Sequence, residues 1–218
     1  FISKIKGKFF KLKVEHISKI KNKIKFYCLI HLAAKAEISI SKKNEKTYMD
    51  ANIVGLQSVL NFCAEKKIKK IIFASSASVY GDSSKQSVKE NDKLKPQHFY
   101  AYTKFIGENM IKNYCNINKL NFTILRFFNV YGRNSNAVVG KFIGQFLQKK
   151  PITIYGTGKQ KRDFIFIDDL NRAIFKCIRS NYSNNKIYNV GSGKSISINK
   201  LKKLVSRSSK TIFLKKRV

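Results

Sequence analysis

The sequence predicts a doubly wound α/β fold: a parallel sheet flanked by helices, with a smaller C-terminal lobe. Two observations carry this expectation. Short apolar runs alternate with longer segments of helical periodicity, the pattern of βαβ units. Small or hydroxyl-bearing residues follow several of those runs, at the strand ends where such sheets bind ligands. Residues 27–32 (YCLIHL) lead into Ala33 and Ala34 and read as a buried strand opening onto a tight turn. Between 48 and 64, Met49, Ile53, Leu56, Val59, Leu60 and Cys63 form a helical stripe. A strand is expected at 71–74, a helix at 100–114 and a strand at 122–126. Beyond Asn129 the pattern predicts a helix at 138–148 and short strands at 152–155 and 163–167. A helix capped by Asp168 or Asp169, a strand at 187–190 and a helix at 197–205 complete it. The expected division is residues 1–130 for the sheet and 131–218 for a lobe interleaved with it.

In a chain of 218 residues, 43% hydrophobic content suffices for a packed core. The formal charge of +33 first suggests a nucleic-acid partner. Its lysines are scattered, as at Lys66, Lys67, Lys69, Lys70, Lys149, Lys150, Lys202 and Lys203, and few arginines are present to read base edges. The charge therefore reads as incidental surface charge, and no nucleic-acid partner is expected. Cys28, Cys63, Cys115 and Cys177 lie far apart in apolar stretches without C-x-x-C spacing. They read as reduced core thiols, which points to a cytoplasmic location. No apolar run approaches the ~18 residues of a membrane span, and the N-terminal stretch lacks the apolar core of a signal peptide. His16, His31 and His98 sit at no ligand spacing with cysteines or acids, so no metal is expected. His31, at the end of an apolar strand, reads as a core residue.

The chemistry concentrates between Lys70 and Lys104. KIIFASSASVYG is an apolar strand ending in serines, and FYAYTK sets Lys104 four residues after Tyr100. On a helix that spacing puts both side chains on one face, where an ammonium can lower a phenol's pKa from about 10 toward the working pH. A serine hydroxyl beside them completes a proton path. Tyr-x-x-x-Lys alone is a weak signal in a chain rich in both residues. With the serine strand upstream it becomes the signature of a tyrosine-based hydride-transfer site.

HLAA at 31–34, NIVG at 52–55, SSASVYG at 75–81, YAYTK at 100–104, LRFFNVYG at 125–132, RDFIFIDD at 162–169 and YNVGSG at 188–193 stand in one order. Together they resemble the NAD-dependent epimerase/dehydratase family, extended short-chain dehydrogenases that act on nucleotide sugars. The resemblance covers residues 27–205 and implies a Rossmann-like sheet, NAD as cofactor and a nucleotide sugar, a UDP-sugar first, as substrate. It implies that Tyr100 is the acid/base, that Lys104 lowers its pKa and holds the nicotinamide ribose, and that Ser76 hydrogen-bonds the reacting hydroxyl. Leu32, Ala33 and Ala34 pass close to the cofactor, Phe128 closes over the nicotinamide, and Asn52 and Ser75 count among the cofactor contacts. Asn129 and Arg162 match positions that grip the nucleotide diphosphate, as amide and guanidinium donors suit. Asp163 and Asp168 are expected to be structural. Relatives pair through helices like those at 48–64 and 100–114, which implies a homodimer.

Two motifs mislead. GSGKS at 191–195 ends like a phosphate-binding loop, but the first glycine of that motif would fall on Tyr188. GTG at 156–158 precedes a strand and reads as a turn. The family opens with a strand and a glycine-rich turn whose following helix binds the cofactor pyrophosphate. Residues 1–25 contain one glycine, Gly7, and VEHI at 14–17 matches only in degraded form the Asp-Ile pair that touches adenine in the family. A chain truncated at both ends is expected, lacking the first βαβ unit and the C-terminal segment where relatives place a second phosphate-gripping arginine. Dehydratases of the family carry Asp-Glu directly after the strand's hydroxyl residue; here Ala77 and Ser78 stand there, and neither does general acid/base work. The resemblance thus implies a UDP-sugar 4-epimerase acting by transient oxidation at C4. A nucleotide-sugar 4-ketoreductase and an inactive remnant remain open alternatives.

Overall fold

The computed structural model describes residues 7–21, 25–36, 44–82, 87–133 and 135–215. In chain order the first half holds β1 (Leu29–His31), α1 (Glu45–Met49), a π-helical turn (Asp50–Val54), α2 (Gly55–Glu65), β2 (Lys70–Ser76), α3 (Phe99–Ile117) and β3 (Asn121–Phe127). Then come β4 (Asn129–Tyr131), α4 (Val138–Leu147), β5 (Ile152–Tyr155), β6 (Lys161–Phe166), α5 (Ile167–Arg179), β7 (Lys186–Val190), β8 (Ser195–Ser197), α6 (Ile198–Val205) and β9 (Thr211–Leu214). The main sheet is parallel, in the order β1-β2-β3-β7.

Alternation along the central strands builds a core on each face. Ile71 and Phe73 of β2 and Ile124 of β3 pack with Leu56, Leu60 and Ile111 of α2 and α3. Ile72 and Leu125 turn the other way, to Leu170 and Ile174 of α5. The sheet is therefore doubly wound, as the sequence predicts. A third core joins α4, β5 and α6 through Phe142, Ile152, Ile154, Ile198 and Leu201. Helix α5 and strand β7 lie beyond residue 131 in the chain, yet they pack with the main sheet.

Three expectations need correction. The run at 27–32 is not buried: Tyr27, Ile30 and Leu32 are 62%, 40% and 57% exposed. Its strand, β1, pairs only with β2 among the described residues, and Ile30 on it is exposed. Lys70 is no surface charge; it is 5% exposed. Its ammonium donates to the carbonyls of Cys177 at 2.6 Å and Ser180 at 2.9 Å and to Ser183 Oγ at 2.7 Å, closing the carboxyl end of α5. Neither Asp168 nor Asp169 caps α5. Phe166 holds the cap position without a side-chain bond, and both acids fall in the first turn, where they complement the helix dipole. Val14 and Ile17 pack against the core beside α2.

Candidate active site

The carboxyl ends of the parallel strands converge. Ser76 lies opposite Phe127, Phe127 opposite Val190, and His31 three pairs further back opposite Phe73. Just beyond these ends come the loop 32–36, the turn at 77–80, Phe128 with Asn129, and Gly191. Helix α3 starts beside them. His98 caps it, its Nδ1 accepting from the Ala101 N–H at 3.2 Å, and its ring stacks on Tyr100 with centroids 6.1 Å apart. Tyr100 thus sits in the first turn, where the helix dipole favours a phenolate.

Tyr100, Lys104 and Ser76 come together as the sequence predicts. Lys104 is 4% exposed; its Nζ donates to the Ala74 carbonyl at 2.7 Å, lies 4.8 Å from the centre of the Phe73 ring and 5.9 Å from that of Tyr100. Burial pulls its pKa down to about 8, against the opposing pull of Glu108. Burial pushes the Tyr100 phenol up, and its hydrogen bond with Ser76 acts in the other direction. The sequence reading gave the easing of that phenol to Lys104. In the structure the Ser76 hydroxyl acts in that direction, and the ammonium, bonded to the Ala74 carbonyl, stands 5.9 Å from the centre of the phenol ring. Ser76 is prepared for this: its Oγ accepts from the N–H of Ser78 at 3.2 Å and the hydroxyl of Ser78 at 2.9 Å, which leaves its own proton to serve the phenol.

Behind this trio stands a charged layer that sequence reasoning missed. Glu108 and Arg126 are 0% and 2% exposed. Arg126 Nε donates to Glu108 Oε1 at 2.9 Å and Nη2 to Oε2 at 2.7 Å, a two-pronged pair. The Ser75 hydroxyl donates to Glu108 Oε1 at 2.5 Å. Arg126 Nη1 continues to the Tyr80 hydroxyl at 2.7 Å and the Glu90 carbonyl at 2.8 Å, and Tyr80 donates to Asn189. Two signals were available. Glu108 continues the four-residue spacing of Tyr100 and Lys104, and a guanidinium inside an apolar strand demands a partner.

The remaining predicted residues divide into exposed and structural ones. Leu32 and Ala33 are exposed and Ala34 half-buried. Asn52, on the π-helical turn, has its amide fully engaged. Its Oδ1 accepts from Lys35 N at 2.8 Å, and its Nδ2 donates to the Lys35 carbonyl at 3.0 Å and Thr103 Oγ1 at 2.9 Å. It therefore fixes the loop 32–36 to α3 and has no N–H left for a ligand. Phe128 is half-buried and packs against Gly191, where an added Cβ would come within 3.2 Å of its ring. Asn129 donates to the Asp163 carbonyl at 2.8 Å, and Arg162, on the neighbouring strand β6, is exposed. Asp163 is structural as expected. Its carboxylate accepts from Ser192 N at 2.8 Å, Ser192 Oγ at 2.7 Å and Gly193 N at 2.8 Å, so the GSG turn cradles an anion of its own chain. His31 is a core residue, 4% exposed and stacked on Phe73.

The sequence model of the NAD dependent epimerase/dehydratase family matches residues 4–191. The chain belongs to this family. A putative UDP-glucose 4-epimerase of Methanocaldococcus jannaschii is 34% identical over 79% of this chain and 58% of its own length. A UDP-glucuronate 4-epimerase of Thermodesulfobacterium geofontis is 31% identical over 95% of this chain and 67% of its own length. Among solved structures, the UDP-glucuronic acid 4-epimerase of Bacillus cereus in complex with UDP-glucuronic acid and NAD superposes with a TM-score of 0.83. It is 30% identical over 94% of this chain and 66% of that one. The chain thus spans roughly three-fifths of the curated relatives it matches. Its carboxyl-end crevice fits the family's cofactor in one respect visible here. Among the described residues the Lys104 ammonium has a single hydrogen-bond acceptor, the Ala74 carbonyl, which leaves two N–H bonds for the hydroxyls of a ligand. Among the described residues no helix is long and apolar enough to cross a membrane.

Proposed function

We propose that this chain carries the reacting centre of a UDP-sugar 4-epimerase that works by transient oxidation at the sugar's C4. The observation that carries this reading is the meeting of Ser76, Tyr100 and Lys104 beside a turn whose Ala77 and Ser78 offer no further acid or base. Elimination of water would need such a group; oxidation of a hydroxyl needs only a base for one proton. Relatives named as 4-epimerases of UDP-sugars agree with it.

In this reading Tyr100 takes the proton of the C4 hydroxyl and later returns it to the same oxygen after the keto-sugar has turned over in the site. Ser76, whose one proton serves the phenol in the free chain, turns it to that oxygen when the sugar is bound. Lys104 holds hydroxyls of the nicotinamide ribose and keeps a positive charge beside the phenolate. NAD, when bound, supplies the chemistry of accepting the C4 hydride and giving it back. Leu32, Ala33 and Ala34 lie along the cofactor on a loop that Asn52 fixes, and Phe128 covers the reacting ring. Asn129 and Arg162 receive the diphosphate, as donors suited to anionic oxygens.

The purified chain, incubated with NAD and each of UDP-glucose, UDP-galactose and UDP-glucuronate, tests this by proton NMR of the sugar. One pair of C4 epimers should interconvert, and Tyr100→Phe should stop the reaction while NAD binding persists. Failure to bind NAD at millimolar concentration would defeat the proposal for this chain.

A further inference from the structure

Three consecutive residues at the end of β2 face three residues spaced four apart on α3, and two of the three pairs are joined by hydrogen bonds of 2.7 and 2.5 Å. Lys104 holds the Ala74 carbonyl, Glu108 holds the Ser75 hydroxyl, and Tyr100 meets the Ser76 hydroxyl. The outer two rungs involve Lys104 and Tyr100, which the proposed chemistry uses. Glu108 is the third rung, and that chemistry gives it no task. We propose that Glu108, braced by Arg126, is a positioning residue for the reaction. Its buried carboxylate fixes the serine end of β2 against the Tyr100–Lys104 face of α3 and keeps a negative charge one turn from the ammonium. The inference rests on the reading of Ser76, Tyr100 and Lys104 given above.

Stability alone is a poor reason for this pair. Two charges removed from water lose much of what their attraction returns, and well-packed apolar replacements are often as stable or more so. The geometry instead joins every element that shapes the site. Glu108 brings α3, Arg126 brings β3, Ser75 brings β2, Tyr80 brings the turn after β2, and Asn189 brings β7. The titratable groups around Lys104 are Tyr100 and Glu108 on its own helix and His31 from β1. Burial, then Lys104 itself, holds His31 down to about 4. Near neutral pH, Glu108 is accordingly the negative charge that favours a protonated Lys104, and it acts in that direction.

The test uses the whole chain with two variants. Glu108→Gln with Arg126→Leu removes both charges of the pair together, so neither partner is left as an unpaired buried ion. Ser75→Ala leaves the ion pair and cuts the rung to β2. Thermal unfolding reports folding, steady-state kinetics report kcat and KM, and NMR of labelled Lys104 Nζ and Tyr100 Cζ reports titration without substrate. The double variant should fold, titrate Lys104 below its starting value of about 8, and lose about tenfold or more in kcat with KM within about twofold. Ser75→Ala should lower kcat by about fivefold and shift the Tyr100 titration. A folded double variant with unchanged titrations and kcat would overturn the inference. So would an unaltered Ser75→Ala enzyme should the double variant fail to fold. If the unmodified chain shows no turnover, the functional reading falls separately. The Lys104 titration then decides this inference: movement supports it and constancy refutes it.

Discussion

Two carboxylates tie together the two sides of the crevice, and they are satisfied differently. Glu108, on the side of Tyr100 and Lys104, is fully buried and is met by a guanidinium and a hydroxyl. Asp163, on the side of Asn129 and Arg162, is half-buried and is met by two backbone N–H groups and a serine hydroxyl. A carboxylate withdrawn from water needs an opposite charge, because dipoles alone do not repay its lost hydration. One at the rim can rely on a turn's N–H groups, since water still screens it. The reacting side is thus held by an arrangement that fails badly if one partner goes. The side of Asn129 and Arg162 is held by contacts that solvent can partly replace.

The sharpest way to break this contrast is Glu108→Ala. It leaves Arg126 charged, buried and unpaired, and should cost about 3–5 kcal/mol in urea unfolding. A loss below ~1 kcal/mol would mean that the buried side is no more demanding than the rim.

Acidification separates the sides next. Folded His31 is pushed down from 6.5 to about 4 by burial and by Lys104, so the unfolded chain takes up the proton first as pH falls. Its contribution is complete above pH 6.5 and is lost toward pH 4. The shift corresponds to roughly 3 kcal/mol. His31→Phe should flatten the pH dependence of the urea midpoint in that window, whereas an unchanged slope would remove His31 from the account.

Smaller effects belong to the rim. In Gly191→Ala the new Cβ would lie 2.7 Å from Asp163 Oδ2 and 3.2 Å from the Phe128 ring. That should cost about 1–2 kcal/mol and raise KM for a UDP-sugar more than it lowers kcat. Asp163→Asn keeps the size but loses charge-assisted bonds to the turn, at about 1 kcal/mol, and again shows mainly in KM. A kcat effect as large as that of Ser75→Ala would erase the distinction between the two sides.

Legibility in the sequence follows the range of the interactions. Tyr100 and Lys104 share a helical face and Ser76 ends an apolar strand, so local spacing alone announces all three. The Glu108–Arg126 pair spans two elements, and neither residue signals the other until the fold sets α3 against β3. Lys70 was hidden differently. In so lysine-rich a chain, composition suggests solvent, whereas its position under the end of α5 gives it three acceptors. Periodicity identified β1 as a strand but could not tell an edge from the middle of a sheet, because that depends on neighbours distant in sequence. The π-helical turn at 50–54 was also invisible, since the apolar stripe on either side of it is helical. Asn52 became interpretable only with Lys35 and Thr103 in place.

The central claim is that the C4 hydrogen leaves and returns while Tyr100 handles the proton of the adjoining oxygen. A UDP-sugar deuterated at C4, incubated with the chain and NAD in ordinary water, tests it most directly. The account predicts a 4-epimer that retains deuterium at C4 and is not formed by Tyr100→Phe. Solvent hydrogen at C4 of the product, or undiminished epimerisation by Tyr100→Phe, would contradict it.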